Sequence, residues 1–161
     1  MRVLVLSDSH SSLRFMWDMI RRLCPDAIIH LGDHYSDAQS IAEENPDTAV
    51  LAVPGNCDMF RAYGAPEVLC TELFGARLYM THGHRHGVKQ TLVRLIRDAR
   101  EAGAQAALFG HTHSPVIAQE DGLWIINPGA SGSSTATGAL LEILDGKVVD
   151  CRQVSWMPFT E

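Results

Sequence analysis

The sequence predicts an α/β protein in which two packed β-sheets are covered by helices. Two observations carry this. Residues 2–53 read as a β-α-β-α-β run, which calls for parallel strands joined by right-handed crossovers. From about residue 106 the chain is nearly all strand, and it contains two hairpin signals, Asp121-Gly122 and Asp145-Gly146. With 161 residues, 46% of them hydrophobic and 20% charged, the chain reads as one domain over 1–161 with a real core.

Each element has its own justification. Residues 2–7 form a continuous β-branched apolar strand. Ser11 or Ser12 is placed to cap a helix with Leu13, Met16, Trp17, Ile20 and Leu23 at helical spacing, stopped by Pro25. Ala27–His30 is a short second strand. Ser36 or Asp37 opens a second helix that runs to about Asn45-Pro46, and Ala49–Val53 is the third strand. Glu67–Phe74 and Arg77–Thr81 pair tightly around Gly75. Val88, Leu92, Leu95, Ile96 and Ala99 set a helix over Val88–Ala102, which Gly103 ends. Ala106–Phe109 follows as a strand. Val116–Gln119 pairs with Leu123–Ile126, and Ala139–Leu144 with Val148–Val154, in a mostly antiparallel second half. There is no repeat, low-complexity tract or linker, and Gly129–Gly138 is a small, polar loop.

Composition excludes some classes of function. The net charge of −6 argues against a broad basic surface for nucleic acid. The four cysteines show no CxxC spacing, so they read as free thiols in a reducing compartment. The N-terminal apolar stretch is too short for a signal peptide, and no run reaches membrane-spanning length. A cytoplasmic protein is the expectation.

Eight histidines lie in or beside short segments that follow apolar runs. The segments are Asp8-Ser9-His10, His30-Leu31-Gly32-Asp33-His34, Gly55-Asn56-Cys57-Asp58, His82-Gly83-His84-Arg85-His86 and Gly110-His111-Thr112-His113. If Asp8-Ser9-His10 is extended, the first and third side chains share a direction and can share one ion. Gly32 lets the chain turn so that Asp33 reaches into a cleft. Taken singly, each is an ordinary turn Asp or Asn, a helix cap or a structural His. Seven candidates from five strand ends, where α/β proteins place their sites, point together to a metal centre. Mixed N/O donors suit Mn, Fe, Zn, Co or Ni better than Ca or Mg. Two divalent ions against the carboxylates of Asp8 and Asp33 leave the centre positive, a local anion trap in an acidic protein.

This motif set resembles the calcineurin-like metallophosphoesterase superfamily over residues 3 to about 130. Gly55-Asn56-Cys57-Asp58 and the short chain are similar to its small YfcE-type phosphodiesterases. The resemblance implies a four-layer αββα sandwich of two mixed β-sheets flanked by helices. It implies one metal held by Asp8, His10, Asp33 and His113, and a second by Asp33, Asn56, His82 and His111, with Asp33 shared. Asp33, Asn56 and His84 are the residues expected to serve catalysis. The implied reaction is hydrolysis of a small phosphodiester by a metal-bridging hydroxide, with manganese the first choice of ion. A dimer or tetramer is also implied.

The chain departs from the family at Cys57, where many members carry a leaving-group histidine. A thiol is a weak donor, so activated diesters are the expected substrates unless another group, His84 or His34, compensates. His30 and His86 read as structural or exposed. Asn127-Pro128-Gly129 matches a family loop near the site, but no basic residue follows it in Ala130–Gly138. Three other readings stay open: a phosphomonoesterase with the same metals, a nuclease, and a scaffold that keeps the fold without the chemistry. Every expected ligand position is filled, which argues against the last.

Overall fold

A computed structural model of the chain describes residues 1–58, 60 and 62–156. The strands form two mixed five-stranded sheets. The first contains β1 (Arg2–Leu6), β2 (Ala27–His30), β3 (Ala49–Ala52), β9 (Thr137–Leu144) and β10 (Lys147–Ser155), in the order β10-β9-β1-β2-β3. The second contains β4 (Val68–Leu73), β5 (Ala76–Thr81), β6 (Ala106–Leu108), β7 (Val116–Glu120) and β8 (Leu123–Asn127), in the order β4-β5-β6-β8-β7. The helices are α1 (Arg14–Leu23), α2 (Tyr35–Glu44) and α3 (Val93–Glu101).

Strand alternation builds the layers. Val3, Val5, Ala27 and Ile29 face Ala76, Leu78, Met80, Ala106 and Leu108 in one buried cluster between the sheets. The alternate residues Leu4, Leu6 and Ile28 meet Phe15, Met16, Met19 and Ile20 of α1 and Ile41 of α2. Tyr79 and Ala107 likewise meet Leu95 and Ala99 of α3 on the far side. The result is helices, sheet, sheet, helix: the four-layer sandwich that the sequence predicts.

β1 pairs parallel with β2, and β2 with β3, as the β-α-β-α-β reading requires. Both Asp-Gly hairpins form. Asp121 and Gly122 take φ of 46° and 81°, and Asp145 and Gly146 take 49° and 74°. Two successive left-handed residues are what a type I′ turn needs.

One expectation is refined and two are corrected. The second half is mostly antiparallel, as in β4 with β5, β7 with β8 and β9 with β10, but it is not wholly so, because β6 pairs parallel with both β5 and β8. The expected serine and aspartate caps are absent. Leu13 precedes α1 and His34 precedes α2, neither with a side-chain cap. Ser11 and Asp37 are engaged with each other instead: the Ser11 N–H donates to the Asp37 carboxylate at 2.9 Å. Finally, α3 starts at Val93 rather than Val88. Gly83 and Gly87 sit at φ of 100° and 67° and turn the chain before it, around a 3-10 turn at His84–His86. Val88 still joins the apolar cluster under α3, so its periodicity marked burial but not helix.

Candidate metal centre

The candidate donors gather where the carboxyl ends of both sheets meet. Asp8 and His10 follow β1, Asp33 follows β2, and Asn56 follows β3. His82 follows β5, and His111 and His113 follow β6. The junction is tight because glycines let the backbones touch. A Cβ on Gly55 would collide with the Asp33 carboxylate, and one on Gly110 with Ser7 Oγ.

The local backbone is unusual. Asp8, His10, Asp33, His111 and His113 have φ of 53°, 45°, 55°, 68° and 59°. The left-handed region costs an L residue roughly 1–2 kcal/mol, and such strain clusters at functional sites. Asp8-Ser9-His10 is therefore not extended. The coiled chain turns Asp8 inward to full burial while leaving His10 exposed, yet their ligand atoms still approach within 4.8 Å.

Two donor groups form. Asp8, His10 and His113 make one; Asp8, Asp33 and His82 make the other. His113 Nε2 lies 3.1 Å from Asp8 Oδ1, and His82 Nε2 lies 3.5 Å from Asp33 Oδ1 and 3.9 Å from Asp8 Oδ1. Asp33 spans both, since its Oδ2 stands 3.9 Å from His10 Nε2. Asn56 Oδ1 joins at 3.2 Å from His82 Nε2. The ring of His111 lies 5.0 Å from that of His82, and His84 stands 5.5 Å from His82 and 6.2 Å from His111.

The donors fit a cation. Asp8 Oδ2 accepts from Ser7 Oγ at 2.6 Å and from the His111 N–H at 3.1 Å, but buried Asp8 Oδ1 has no hydrogen-bond partner among the described residues. A buried carboxylate oxygen left so is costly without a positive partner. His82 Nδ1–H donates to the Leu31 carbonyl at 2.7 Å, which aims Nε2 at three oxygens. That second contact fixes the ring as metal-binding histidines are usually fixed. Burial opposes ionisation of Asp33, but the Cys57 N–H at 2.9 Å and the His82 ring outweigh it, and its pKa falls below the usual value. Burial, with His82 and Lys89 nearby, lowers His111 to about 4, so its imidazole is neutral and its lone pair free.

Sequence reasoning missed the scaffold around these donors. Asp58 is buried, its Oδ1 accepting the N–H groups of His34 and Tyr35, both at 2.9 Å, and its Oδ2 that of Gly55 at 2.8 Å. It caps α2 from a distant turn and locks the Asn56 loop to the Asp33 loop. Its position in Gly-Asn-Cys-Asp was the available signal. We expect Asp58→Ala to lower unfolding free energy by about 3 kcal/mol, and Asp58→Asn by less, in urea titrations. Equal stability of the alanine variant would refute this role.

Ser9 and Asp37 are the second omission. Ser9 Oγ donates to Asp37 Oδ2 at 2.6 Å and lies 2.9 Å from His30 Nε2. His30 is fully buried, not exposed, and burial lowers its pKa to about 4. His86 is buried too, 3.0 Å from the Tyr79 hydroxyl. Of the leaving-group candidates, His34 binds Ser11 Oγ through Nδ1 at 2.7 Å at the rim, whereas His84 faces the centre. Asn127 is buried, and its amide holds the Gly110 carbonyl at 2.9 Å, so this residue braces the His111 loop.

Residues 1–146 match the family model of the calcineurin-like phosphoesterase superfamily domain. The chain belongs to this superfamily. It is 37% identical over 133 residues to the probable metallophosphoesterase YsnB of Bacillus subtilis, covering 81% of this chain and 75% of that one. The fold of Yfce, a phosphoesterase from E. coli, superposes with a TM-score of 0.61 at 23% identity, covering 96% of this chain and 99% of Yfce. Zinc-complexed Vps29 from Entamoeba histolytica superposes with a TM-score of 0.68 at 20% identity, covering 96% and 99%. A calcineurin-like metallophosphoesterase is thus both the sequence reading and the result of comparison, and the likeness to Yfce is one of fold. No helix among the described residues is long and apolar enough to cross a membrane.

Proposed function

We propose that this chain is a metal-dependent phosphodiesterase with two divalent ions, manganese first among them. Asp8, His10, Asp33 and His113 hold one, and Asp33, Asn56, His82 and His111 the other. The carrying observation is the buried Asp8 Oδ1, which accepts no hydrogen bond among the described residues yet stands 3.1 Å from His113 Nε2 and 3.9 Å from His82 Nε2, with His10 close by. When bound, such ions act as Lewis acids on phosphoryl oxygens and lower the pKa of water towards neutrality.

The chain's own groups do the rest. Asp33 reaches both donor sets and fixes their spacing. Asn56 orients substrate through its amide. His84 faces the centre and Nδ1 is buried without a hydrogen-bond partner among the described residues, so a leaving-group oxygen is a suitable partner. Burial lowers its pKa, which leaves it a neutral, weak acid near pH 7. Burial and Asp33 raise the Cys57 pKa, so the thiol stays protonated and donates poorly. Both facts favour substrates with activated leaving groups. The free thiols of Cys24, Cys57, Cys70 and Cys151 support a cytoplasmic setting.

The test is elemental analysis together with Mn²⁺-dependent hydrolysis of bis(p-nitrophenyl) phosphate and of p-nitrophenyl phosphate. Metal-free, inactive protein after Mn²⁺ loading would sink the proposal, and faster monoester turnover would make it a phosphomonoesterase. His84→Gln should slow alkyl leaving groups by ~10²-fold and aryl ones far less. Equal losses on both would remove His84 from the leaving-group role.

A further inference from the structure

We propose that the cleft between the 62–67 loop and the His84–His86 turn seats a planar aromatic substituent, an aryl ring or a nucleobase, of the phosphate ester. This rests on the phosphodiesterase reading above. The cleft has a volume of about 360 Å³, and Pro54, Asn56, Tyr63, Glu67, His84 and Arg85 are among its lining residues. Asn56 and His84 also face the donor cluster, so the cleft opens directly onto the place where phosphate would bind. A group held there is attached to the phosphorus, not to a remote site.

The walls favour a flat ring. Tyr63 is 100% exposed, so its aromatic face is available to a ligand. Aromatic side chains on an open wall bind rings by stacking, which tolerates any π-face. Pro54 adds an apolar wall. Arg85 Nε meets Glu67 Oε2 at 2.5 Å, which puts a donor and an acceptor together at the cleft edge for the heteroatoms of a ring. The opposite flank of the centre, formed by His10, His34 and His113, presents imidazoles instead. The two sides are chemically unlike. A diester with one aromatic and one small substituent therefore has one favoured orientation, with the ring towards Asn56 and His84. A methyl ester would leave the cleft unfilled.

Hydrolysis-resistant probes separate this from turnover. Phenylphosphonate, methylphosphonate and adenosine 5′-thiomonophosphate are titrated calorimetrically against Mn²⁺-loaded wild type, Tyr63→Phe and Tyr63→Ala. Tyr63 is exposed, so neither variant endangers folding. In wild type, phenylphosphonate should bind about tenfold more tightly than methylphosphonate. Tyr63→Ala should erase that preference and Tyr63→Phe keep it. The tighter of phenylphosphonate and the nucleotide distinguishes aryl from nucleobase, and either order supports the cleft. Equal affinities for the phenyl and methyl probes in wild type, or an unchanged preference in Tyr63→Ala, would overturn it. Absence of ester hydrolysis with the preference intact would defeat the phosphodiesterase reading alone.

Discussion

Replacing Asp33 with alanine is expected to cost at least one of the two proposed ions and, on the phosphodiesterase reading, to lower diester turnover by at least ~10³-fold. Asp33 is 3% exposed and, like Asp8, reaches towards both His10 and His82. It stands close to Asp8, itself fully buried. Two buried carboxylates repel each other unless a cation lies between them. The alanine variant should therefore be no less stable than wild type without metal. With metal the two should part, because a ligand that binds only the folded state raises its stability by mass action. Mn²⁺ should raise the melting temperature of wild type by several degrees and that of Asp33→Ala little. A variant that keeps both ions by elemental analysis and still hydrolyses the diester would show that Asp33 does not join the two sets.

The second large effect lies in the backbone. Gly32 sits at φ of 95°, and a Cβ there would stand 2.5 Å from the Gly55 nitrogen and 2.8 Å from both Gly55 Cα and the Pro54 carbonyl carbon. All three are main-chain atoms of the turn that leads to Asn56, so no flexible side chain can yield. Gly32→Ala should cost about 3 kcal/mol or more, combining an unfavourable φ with the collision. Gly103 supplies the control. Its φ is 68°, but a Cβ would meet nothing within 4 Å. Gly103→Ala should cost about 1 kcal/mol, the conformational penalty alone. Urea denaturation of the two variants separates the effects. Equal losses would mean that the Gly32–Gly55 approach yields without cost. Gly32→Ala should also weaken metal uptake, because Asp33 and Asn56 flank the contact.

Much of this was legible in the sequence. Strand alternation, the β-α-β-α-β start and the two Asp-Gly turns report short-range physics, and all reappear in the fold. The candidate donors were legible because each follows a strand and carries an unmistakable donor atom. What escaped depends on contacts distant in sequence. Ser9 meets Asp37 on α2, and Asp58 caps a helix that begins 23 residues earlier at Tyr35. A side chain that caps another segment leaves no local pattern at the helix it caps, so the expected local caps were the wrong ones. Val88 shows the complementary error. Its apolar spacing extended the α3 pattern, but two left-handed glycines turned it into a packed loop residue. The inward turn of Asp8 was hidden for the same reason, since a left-handed aspartate looks like any other in sequence.

The donors come from two sheets whose inner faces meet in one apolar layer. Asp33 rides on the first sheet and His82 on the second, with Ile29 and Leu78 in that layer beneath them. Any sliding of one sheet over the other changes the Asp33–His82 spacing at the sheet ends. The apolar layer therefore acts as the calliper of the centre. Substitutions that alter its thickness retune which ion fits, without touching a single donor.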